Sequence, residues 1–287
     1  MKKILSKLTP VLFIGPHFIL FLIFLIYPTF YGLYISFFKW DFMTEPKFVG
    51  FKNYMDLFNK ETIDYSEFWS SLWHTIEFVI FSVPLLIAVA FILALLLNEK
   101  IPFKNFFRTI FYMPVALSVS TICLIWMWVF DSNAGILNYY FGIKTPWLSD
   151  LPYAWIALVI MTIWWTIGNN MVIFLAGLQD VPEEYYEASR IDGANWFQQL
   201  FHITLPSLKP TFLFITITST IASFNLFGQP YIATRGGPGT ATRTAVMYIR
   251  DVGFSQYRMG SAAAMAILMG LIMIVISIFQ YRIMDRE

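Results

Sequence analysis

The sequence predicts an all-α membrane protein with six transmembrane helices. Hydrophobic residues make up 58% of the 287 residues and charged residues only 13%, against roughly 25% charged residues in soluble domains. A water-soluble fold of this length could not bury so much apolar surface, so lipid must cover much of it. The apolar residues form long continuous runs, which excludes a transmembrane β-barrel, because its strands alternate between apolar and polar residues.

Six runs are long enough to cross a bilayer, which takes about 20 mainly apolar residues in a helix. The predicted spans lie within residues 8–38, 78–97, 109–130, 151–179, 210–234 and 259–281. The first run follows three lysines, as the apolar region of a signal peptide does. It is too long for such a region and no small-residue cleavage site follows it, so we expect a retained first span.

Charge and cysteine content exclude several classes of function. The net charge of +1 gives no reason to expect a nucleic-acid partner. The single cysteine, Cys123, lies in an apolar run, so neither an internal disulfide nor a cysteine metal site is expected. The histidines His17, His74 and His202 are far apart and no Asp-rich motif accompanies them, which disfavours a membrane enzyme. We predict no metal site, no cofactor and no catalytic residue.

One pair of titratable residues stands near the start of the second span. Glu77 follows His74 by three residues, and an intramembrane carboxylate is a functional candidate by default. The pair fits either an ordinary contact at a helix end or a proton relay. A secondary, ion-coupled transporter is therefore the alternative function, although the spans hold few charges and no inverted repeat is visible.

Basic residues near the first spans indicate the orientation. With six spans, both termini lie on the same side of the membrane. Lys2, Lys3 and Lys7 precede the first span, and Lys100, Lys104 and Arg108 lie in the short loop before the third. Because short cytoplasmic loops are enriched in Lys and Arg, we expect both termini to be cytoplasmic.

The loop over residues 180–210 is polar and predicts two short helices joined by an elbow. Asp180 is expected to cap the first helix, with Glu183 at capping-box spacing and Pro182 in the first turn. Gly193 is expected to end this helix in a left-handed turn, with a second short helix after it. On physical grounds alone, the segment could also be an amphipathic hairpin on the membrane surface without a partner.

The same loop resembles the coupling motif of ABC importer permeases, which reads E-A-A, three residues, G, nine residues and I-x-L-P. The matching residues are Glu187, Ala188, Ser189, Gly193, Ile203, Leu205 and Pro206, with Asp192 beside the glycine. Only Ser189 departs from the pattern, since it replaces an alanine with another small residue. We call residues 180–210 the coupling loop.

The likeness extends over nearly the whole chain. The segments that carry it are 108–114, 135–138, 146–148, 175–179 and 236–239 with Thr240 and Thr242. Together they are similar to the first of the paired permeases in sugar importers of the maltose and glycerol-phosphate type. The resemblance implies the type I ABC importer permease fold, with a cytoplasmic coupling loop. It divides the chain into an N-terminal span and outer loop over residues 1–71 and a permease domain over residues 72–283.

The resemblance also implies a function and partners. The chain would be the membrane-spanning permease subunit of a binding-protein-dependent ABC importer for a sugar or oligosaccharide, in the cell membrane of a prokaryote. Its partners would be a second permease, a dimer of ATP-binding subunits and an extracytoplasmic solute-binding protein. Glu187 would make a polar contact with the ATPase, Ala188 and Ser189 would allow close approach, and Gly193 would form the elbow. The chain would not be an enzyme, since Gly236–Gly239 lacks the Gly-Lys-Ser/Thr ending of a phosphate-binding loop and no other nucleotide motif is present, so a partner subunit would hydrolyse the ATP.

A sugar path needs hydrogen-bonding groups and aromatic faces midway along the spans. The predicted path residues are Asn225, Gln229, Ser223, Asn169, Asn170 and Trp164, and Trp165, Trp126 and Trp128 are further candidates for ring faces. Asn225 is the strongest candidate, because we expect it in the middle of the fifth span with Gln229 one turn later. The alternative is that these residues only join helices or form an interfacial tryptophan belt.

Overall fold

The computed structural model describes residues 2–99 and 101–286 and is mainly helical. The helices are α1 (Lys2–Phe21), α2 (Tyr27–Ile35), α3 (Lys52–Asp56), α4 (Ile63–Asn98), α5 (Lys104–Tyr112), α6 (Val119–Val129), α7 (Ile136–Phe141), α8 (Tyr153–Asp180), α9 (Glu183–Ile191), α10 (Trp196–Gln199), α11 (Leu205–Ser207), α12 (Lys209–Phe224), α13 (Ala245–Arg250) and α14 (Met259–Arg286). Segments of π-helix lie at Leu22–Ile26, Leu200–Thr204, Pro230–Thr234 and Asp251–Ser255, and a 3-10 turn lies at Met113–Ala116. Lys100, one of the lysines predicted to be cytoplasmic, lies outside the described residues, as does Met1, where the predicted N-terminal domain begins.

The described residues contain four helical stretches that are long and apolar enough to cross a membrane, and two bent helix pairs that could each form one more span. The four are Leu12–Ile35, Ile63–Asn98, Tyr153–Asp180 and Met259–Met284, and the bent pairs are Lys104–Ala116 with Val119–Val129 and Trp196–Ser207 with Lys209–Phe224. The first pair bends by 105° and the second by 65°. The prediction of an all-α protein with six spans is confirmed with each bent pair taken as one span, but the third and fifth spans are not straight.

Local residue chemistry explains the sharper bend. Pro114 is the second residue of the 3-10 turn that follows α5, and Leu117 and Ser118 then have extended backbone conformations. The hydroxyl oxygen of Ser118 accepts a hydrogen bond from the amide of Thr121 at 3.3 Å and so caps α6. A proline followed by a serine N-cap restarts the helix in a new direction, which an average over apolar residues does not detect.

The chain divides into two compact units. The first takes in the chain up to Phe68 together with Tyr248–Leu271, and the second takes in Trp69–Met247 together with the chain from Ile272 onward. In the first unit, β1 (Phe38–Lys39) and β2 (Lys47–Phe48) form an antiparallel hairpin.

The start of α14 lies directly against this hairpin. The amide of Met259 donates to the carbonyl of Trp40 at 3.0 Å. The side-chain amide of Asn53, in α3, donates to the carbonyls of Ser36 at 2.7 Å and Phe38 at 3.0 Å. These contacts fix the hairpin, α3 and the first turn of α14 to one another.

An ion pair between a buried carboxylate and a partly exposed arginine also stabilises the first unit. Asp64, in the first turn of α4, has a side chain only 5% exposed and accepts two hydrogen bonds from Arg258. The Nη1–Oδ1 distance is 2.8 Å, and the hydroxyl of Tyr248 donates to the same oxygen at 3.3 Å. The neighbouring carboxylate raises the pKa of Arg258. A bidentate pair of this kind is both strong and geometrically specific.

The second unit holds the apolar core that supports the candidate site. Its largest cluster joins α4, α8 and α12 through Ala90, Ala94, Phe174 and Ile215. Gly168 lets α5 approach α8 closely, because a Cβ atom there would lie 2.6 Å from the carbonyl oxygen of Phe111. Close packing of this kind positions the ends of α8 and α12, between which the coupling loop runs.

Candidate functional site

The first half of the coupling loop is α9, which ends at the predicted elbow. Gly193 has a φ of +78°, a conformation that glycine adopts without steric cost. Its amide donates to the carbonyl of Arg190 at 3.1 Å, and the amide of Ala194 donates to the carbonyl of Ser189 at 2.9 Å. These bonds satisfy carbonyls that the end of a helix leaves free.

The predicted cap of this helix is wrong. Asp180 is the last residue of α8, and Pro182 occupies the N-cap position of α9 without a side-chain hydrogen bond. The helical pattern of α8 continues through Asp180, so its carboxylate is not placed to cap a new helix. The capping box instead precedes α10, where Asn195 and Gln198 exchange bonds of 2.9 and 2.7 Å between side chain and backbone. The spacing of Asn195 and Gln198 in the sequence indicates this capping box.

Side-chain hydrogen bonds join the two halves of the loop. The hydroxyl of Ser189 donates to the carbonyl of Tyr186 at 2.9 Å and accepts from the side-chain amide of Gln199 at 2.9 Å. The hydroxyls of Tyr186 and Thr204 share a further bond of 3.0 Å. Ser189, the residue that departs from the alanine of the motif, therefore connects α9 to α10. The loop is a braced pair of helices rather than a flexible connection.

We expect the Ser189–Gln199 bond to contribute about 0.5–1.5 kcal/mol to the stability of the loop, the usual net value of a hydrogen bond. The measurement is a double-mutant cycle on thermal unfolding with Ser189→Ala, Gln199→Leu and the double variant. A positive interaction energy of that size is expected. Strictly additive single effects would contradict the contact.

The exposed side chains of the coupling loop include acidic and large apolar residues. Glu187, Ala188, Asp192, Gly193 and Pro206 are exposed, and Ile203, Leu205 and Ser189 are partly buried. Ile191 is 87% exposed, and the exposed side chains of Tyr185, Trp196, Phe197 and Phe201 lie in the same segment. Exposed apolar residues of this kind suit contact with a protein partner or with the membrane interface.

A cleft of about 810 Å³ lies within the second unit and is lined mainly by α8, α12 and the segment after α12. It contains the predicted path residues Asn169, Asn170, Ser223, Asn225 and Gln229. The rings of Tyr112, Trp165, Phe214 and Phe227 also line it. The cleft thus brings together amides, hydroxyls and aromatic faces, the groups that bind sugars.

Two of the predicted path amides join helices. The side-chain amide of Asn170 donates to the hydroxyl of Ser219 at 3.0 Å, and that of Gln229 donates to the hydroxyl of Thr162 at 3.3 Å. Both amides are buried. Asn169, in contrast, is exposed at the cleft wall. Helix packing therefore accounts for part of the predicted path, while the side chain of Asn169 remains exposed in the cleft.

The placement predicted for Asn225 in the middle of a continuous span is wrong. Helix α12 ends at Phe224, and Asn225 is its C-cap residue. The side-chain amide of Asn225 donates to the carbonyl of Ile221 at 2.8 Å. Asparagine competes for backbone carbonyls in this way, and Gly228 and Pro230 follow within six residues. The exposed side chain still lies at the cleft wall.

Trp164 does not line the cleft, although its neighbour Trp165 does. The ring of Trp164 packs edge to face on Trp126 at a centroid distance of 5.7 Å. The indole of Trp165 donates to the carbonyl of Leu117 at 3.2 Å. Consecutive residues of a helix point about 100° apart, and a tandem pair does not show which ring faces inward. Trp128 is exposed elsewhere on α6.

The His74 and Glu77 side chains have separate partners. The carboxylate of Glu77 accepts a hydrogen bond from the indole of Trp73 at 2.8 Å, and Nδ1 of His74 lies 3.3 Å from the carbonyl oxygen of Arg243. Both residues border a largely apolar groove of about 1100 Å³. Because α4 begins at Ile63, both residues lie inside this helix and not at its end, so the predicted helix-end contact is wrong. Each side chain bonds to its own partner and not to the other, which does not favour a proton relay.

Comparison with known proteins places the chain in a family. Residues 87–287 match the family described as the inner membrane component of binding-protein-dependent transport systems. The chain is 31% identical over 286 residues to the probable ABC transporter permease protein YurN of Bacillus subtilis, with 96% of each chain covered. It is 36% identical to the probable starch degradation products transport system permease protein AmyD of Thermoanaerobacterium thermosulfurigenes, over 96% of this chain and 94% of that protein.

A solved structure has the same fold. The chain matches a chain of the bacterial alginate ABC transporter in complex with alginate pentasaccharide-bound periplasmic protein, with a TM-score of 0.82 and 22% identity. The match covers 100% of this chain and 97% of that chain.

Proposed function

Since the chain belongs to the inner membrane components of binding-protein-dependent transport systems, the permease subunits of ABC transporters, we propose that its cargo is an oligosaccharide moving into the cell. The observation that carries the choice of cargo is the cleft along α8 and α12. Its exposed amides at Asn169 and Asn225 and its rings at Trp165 and Phe227 suit the hydroxyls and apolar faces of sugar rings. The names of AmyD and of the alginate transporter support the same class of solute.

The braced coupling loop supports an ATP-driven mechanism. We infer that its exposed face, around Glu187, Ala188 and Asp192, docks on a dimer of ATP-binding subunits that hydrolyse the ATP. A rigid pair of helices transmits rigid-body motion from one subunit to another. Glu187 supplies the polar contact, and Ile191 and Trp196 supply apolar area. The chain itself then opens and closes the path without catalysing a reaction.

This mechanism implies an orientation of the chain in the membrane and a set of partner proteins. The coupling loop and both termini face the cytoplasm, and the loop after the fifth span, around Gly236–Gly239, faces outward. A second permease supplies the opposite wall of the solute path, and an extracytoplasmic solute-binding protein delivers the oligosaccharide. The permease domain spans residues 72–283, after an N-terminal span and outer loop over residues 1–71.

Reconstituted transport tests the proposal. The chain is co-purified with its second permease, its ATP-binding subunits and its solute-binding protein, and uptake of a panel of labelled oligosaccharides into liposomes is measured. We expect uptake of at least one oligosaccharide only with the binding protein and internal ATP. An ATP-binding subunit disabled at its phosphate-binding lysine is the control and should abolish uptake. Uptake driven by a proton or sodium gradient without ATP would instead show a secondary transporter.

A further inference from the structure

A separate, polar cleft lies within the first unit. It has a volume of about 590 Å³ and is enclosed by the β1–β2 hairpin, α3 and the first residues of α14. Its lining includes the basic and aromatic residues Lys39, Trp40, Lys47, Lys52, Tyr257 and Arg258. We call it the hairpin cleft.

Two lysines face each other across the hairpin. Lys39 and Lys47 are directly opposite in the register of β1 and β2, and both are exposed. Like charges at directly opposite positions of an antiparallel pair are destabilising. Either neighbouring negative charges compensate the two lysines, or their positive charges remain available to a partner.

The acidic residues of the cleft are already engaged. Asp56 pairs with Lys52 at 3.0 Å. Asp41 accepts hydrogen bonds from the amides of Met43 and Thr44 and from the Thr44 hydroxyl, which lower its pKa.

The arginine of the cleft is engaged as well. Arg258 is paired with the buried Asp64. Among the side chains of residues 12–99 and 101–284, neither Lys39 nor Lys47 has a carboxylate within ion-pair distance. The hairpin cleft is therefore lined by two lysines without an ion-pair partner, together with Trp40 and Tyr257.

We propose that the hairpin cleft receives carboxylate side chains of the extracytoplasmic solute-binding protein. The inference rests on the proposed function, which places the hairpin outside the cell between the first two spans. The cleft volume admits a few side chains but not a folded domain. Complementary charge at such a contact speeds association and fixes register, and the lysines offer it to an acidic surface.

Charge reversal of the two lysines tests this inference in the reconstituted transporter. The quantity measured is the concentration of sugar-loaded binding protein that half-maximally stimulates ATP hydrolysis. The double variant Lys39→Glu, Lys47→Glu should raise it about fivefold or more, while the maximal rate is unchanged. In the wild type, we expect added salt to raise this concentration, because salt screens the charges. In the double variant, this dependence on salt should disappear. Lys60→Glu, at an exposed lysine outside the cleft, is the matched control and should have little effect.

The alternatives give different results. An unchanged concentration in the double variant would mean that the lysines only protect an exposed strand edge from pairing, and would overturn the inference. A changed apparent affinity for the sugar at saturating binding protein would assign the cleft to an anionic solute and would also overturn it. If the double variant misfolds, Lys39→Gln, Lys47→Gln should still raise the concentration, by a smaller factor. A wild type that the binding protein does not stimulate at all would contradict the proposed function itself.

Discussion

Replacing Gly193 by proline is expected to reduce ATP-driven uptake by more than about tenfold, a difference of about 1.4 kcal/mol in coupling, while the chain still inserts. Proline holds φ near −65°, and Gly193 has a φ of +78°. Proline also removes the amide that donates to Arg190 and disfavours the near-helical backbone of Asp192 before it. The end of α9 must then change, and with it the Ser189–Gln199 contact that braces the loop.

The measurement is uptake and binding-protein-stimulated ATP hydrolysis in liposomes, compared among Gly193→Ala, Gly193→Pro and the wild type. Alanine at this φ costs about 1–2 kcal/mol, so an intermediate loss is expected. Gly142→Pro is the matched control. Gly142 ends α7 with a φ of +62°, its amide donates to Asn138, and a Cβ would meet no atom within 4 Å at either glycine.

The two proline variants separate coupling from folding. If Gly142→Pro transports and Gly193→Pro does not, the elbow of the coupling loop transmits the motion. If both variants lose uptake in parallel with their folded yield, the loss is one of stability. Retained uptake and ATPase stimulation in Gly193→Pro would show that this loop is not the connection to the ATPase.

The coupling loop could be predicted from sequence because its determinants are local. A glycine in a left-handed turn, acidic residues in the first turn of α9 and small residues at fixed spacing all act within a few positions. Because these determinants are local, the sequence alone does not distinguish the correct capping box from the wrong one. Asp180 and Asn195 both have a suitable residue three positions later, and only the length of α8 decides between them.

The spans were predictable because hydropathy is also a local property, but their ends were not. Helix α4 begins at Ile63, well before the apolar run at residue 78. Its first turns mix polar and aromatic residues, and Asp64 is tolerated there because Arg258 neutralises it from a distant part of the sequence. Only the folded chain brings these two residues together.

The cleft along α8 and α12 shows the same contrast between local and distant determinants. Residues that line the cleft could be identified as polar residues within the predicted spans, since amides within apolar helices are rare and need partners. Which of those amides remain available depends on partners such as Ser219 for Asn170 and Thr162 for Gln229, which are 49 and 67 residues away. No local pattern contains that information.

Replacing Gly260 by alanine is expected to destabilise the first unit by about 3 kcal/mol or more, at the upper end of the usual cost of overpacking. An added Cβ would lie 1.7 Å from the carbonyl oxygen of Phe38 and 3.0 Å from the side-chain nitrogen of Asn53. The first obstacle is backbone, so a change of rotamer cannot relieve it. Moving α14 away would weaken the Met259–Trp40 bond, and moving the hairpin would break the bond from Asn53 to Phe38.

Thermal unfolding of the purified chain in detergent measures this effect, with Gly270→Ala as the control in the same helix. A Cβ at Gly270 meets nothing within 4 Å, so alanine there should be neutral or stabilise the helix by up to about 1 kcal/mol. The two variants make the same chemical change on α14 and differ only in what the new methyl group meets. Equal unfolding temperatures would therefore contradict the close approach of α14 to the hairpin. A large loss confined to Gly260→Ala would confirm that the first turn of α14 and the hairpin form one packed structure, on which the hairpin cleft depends.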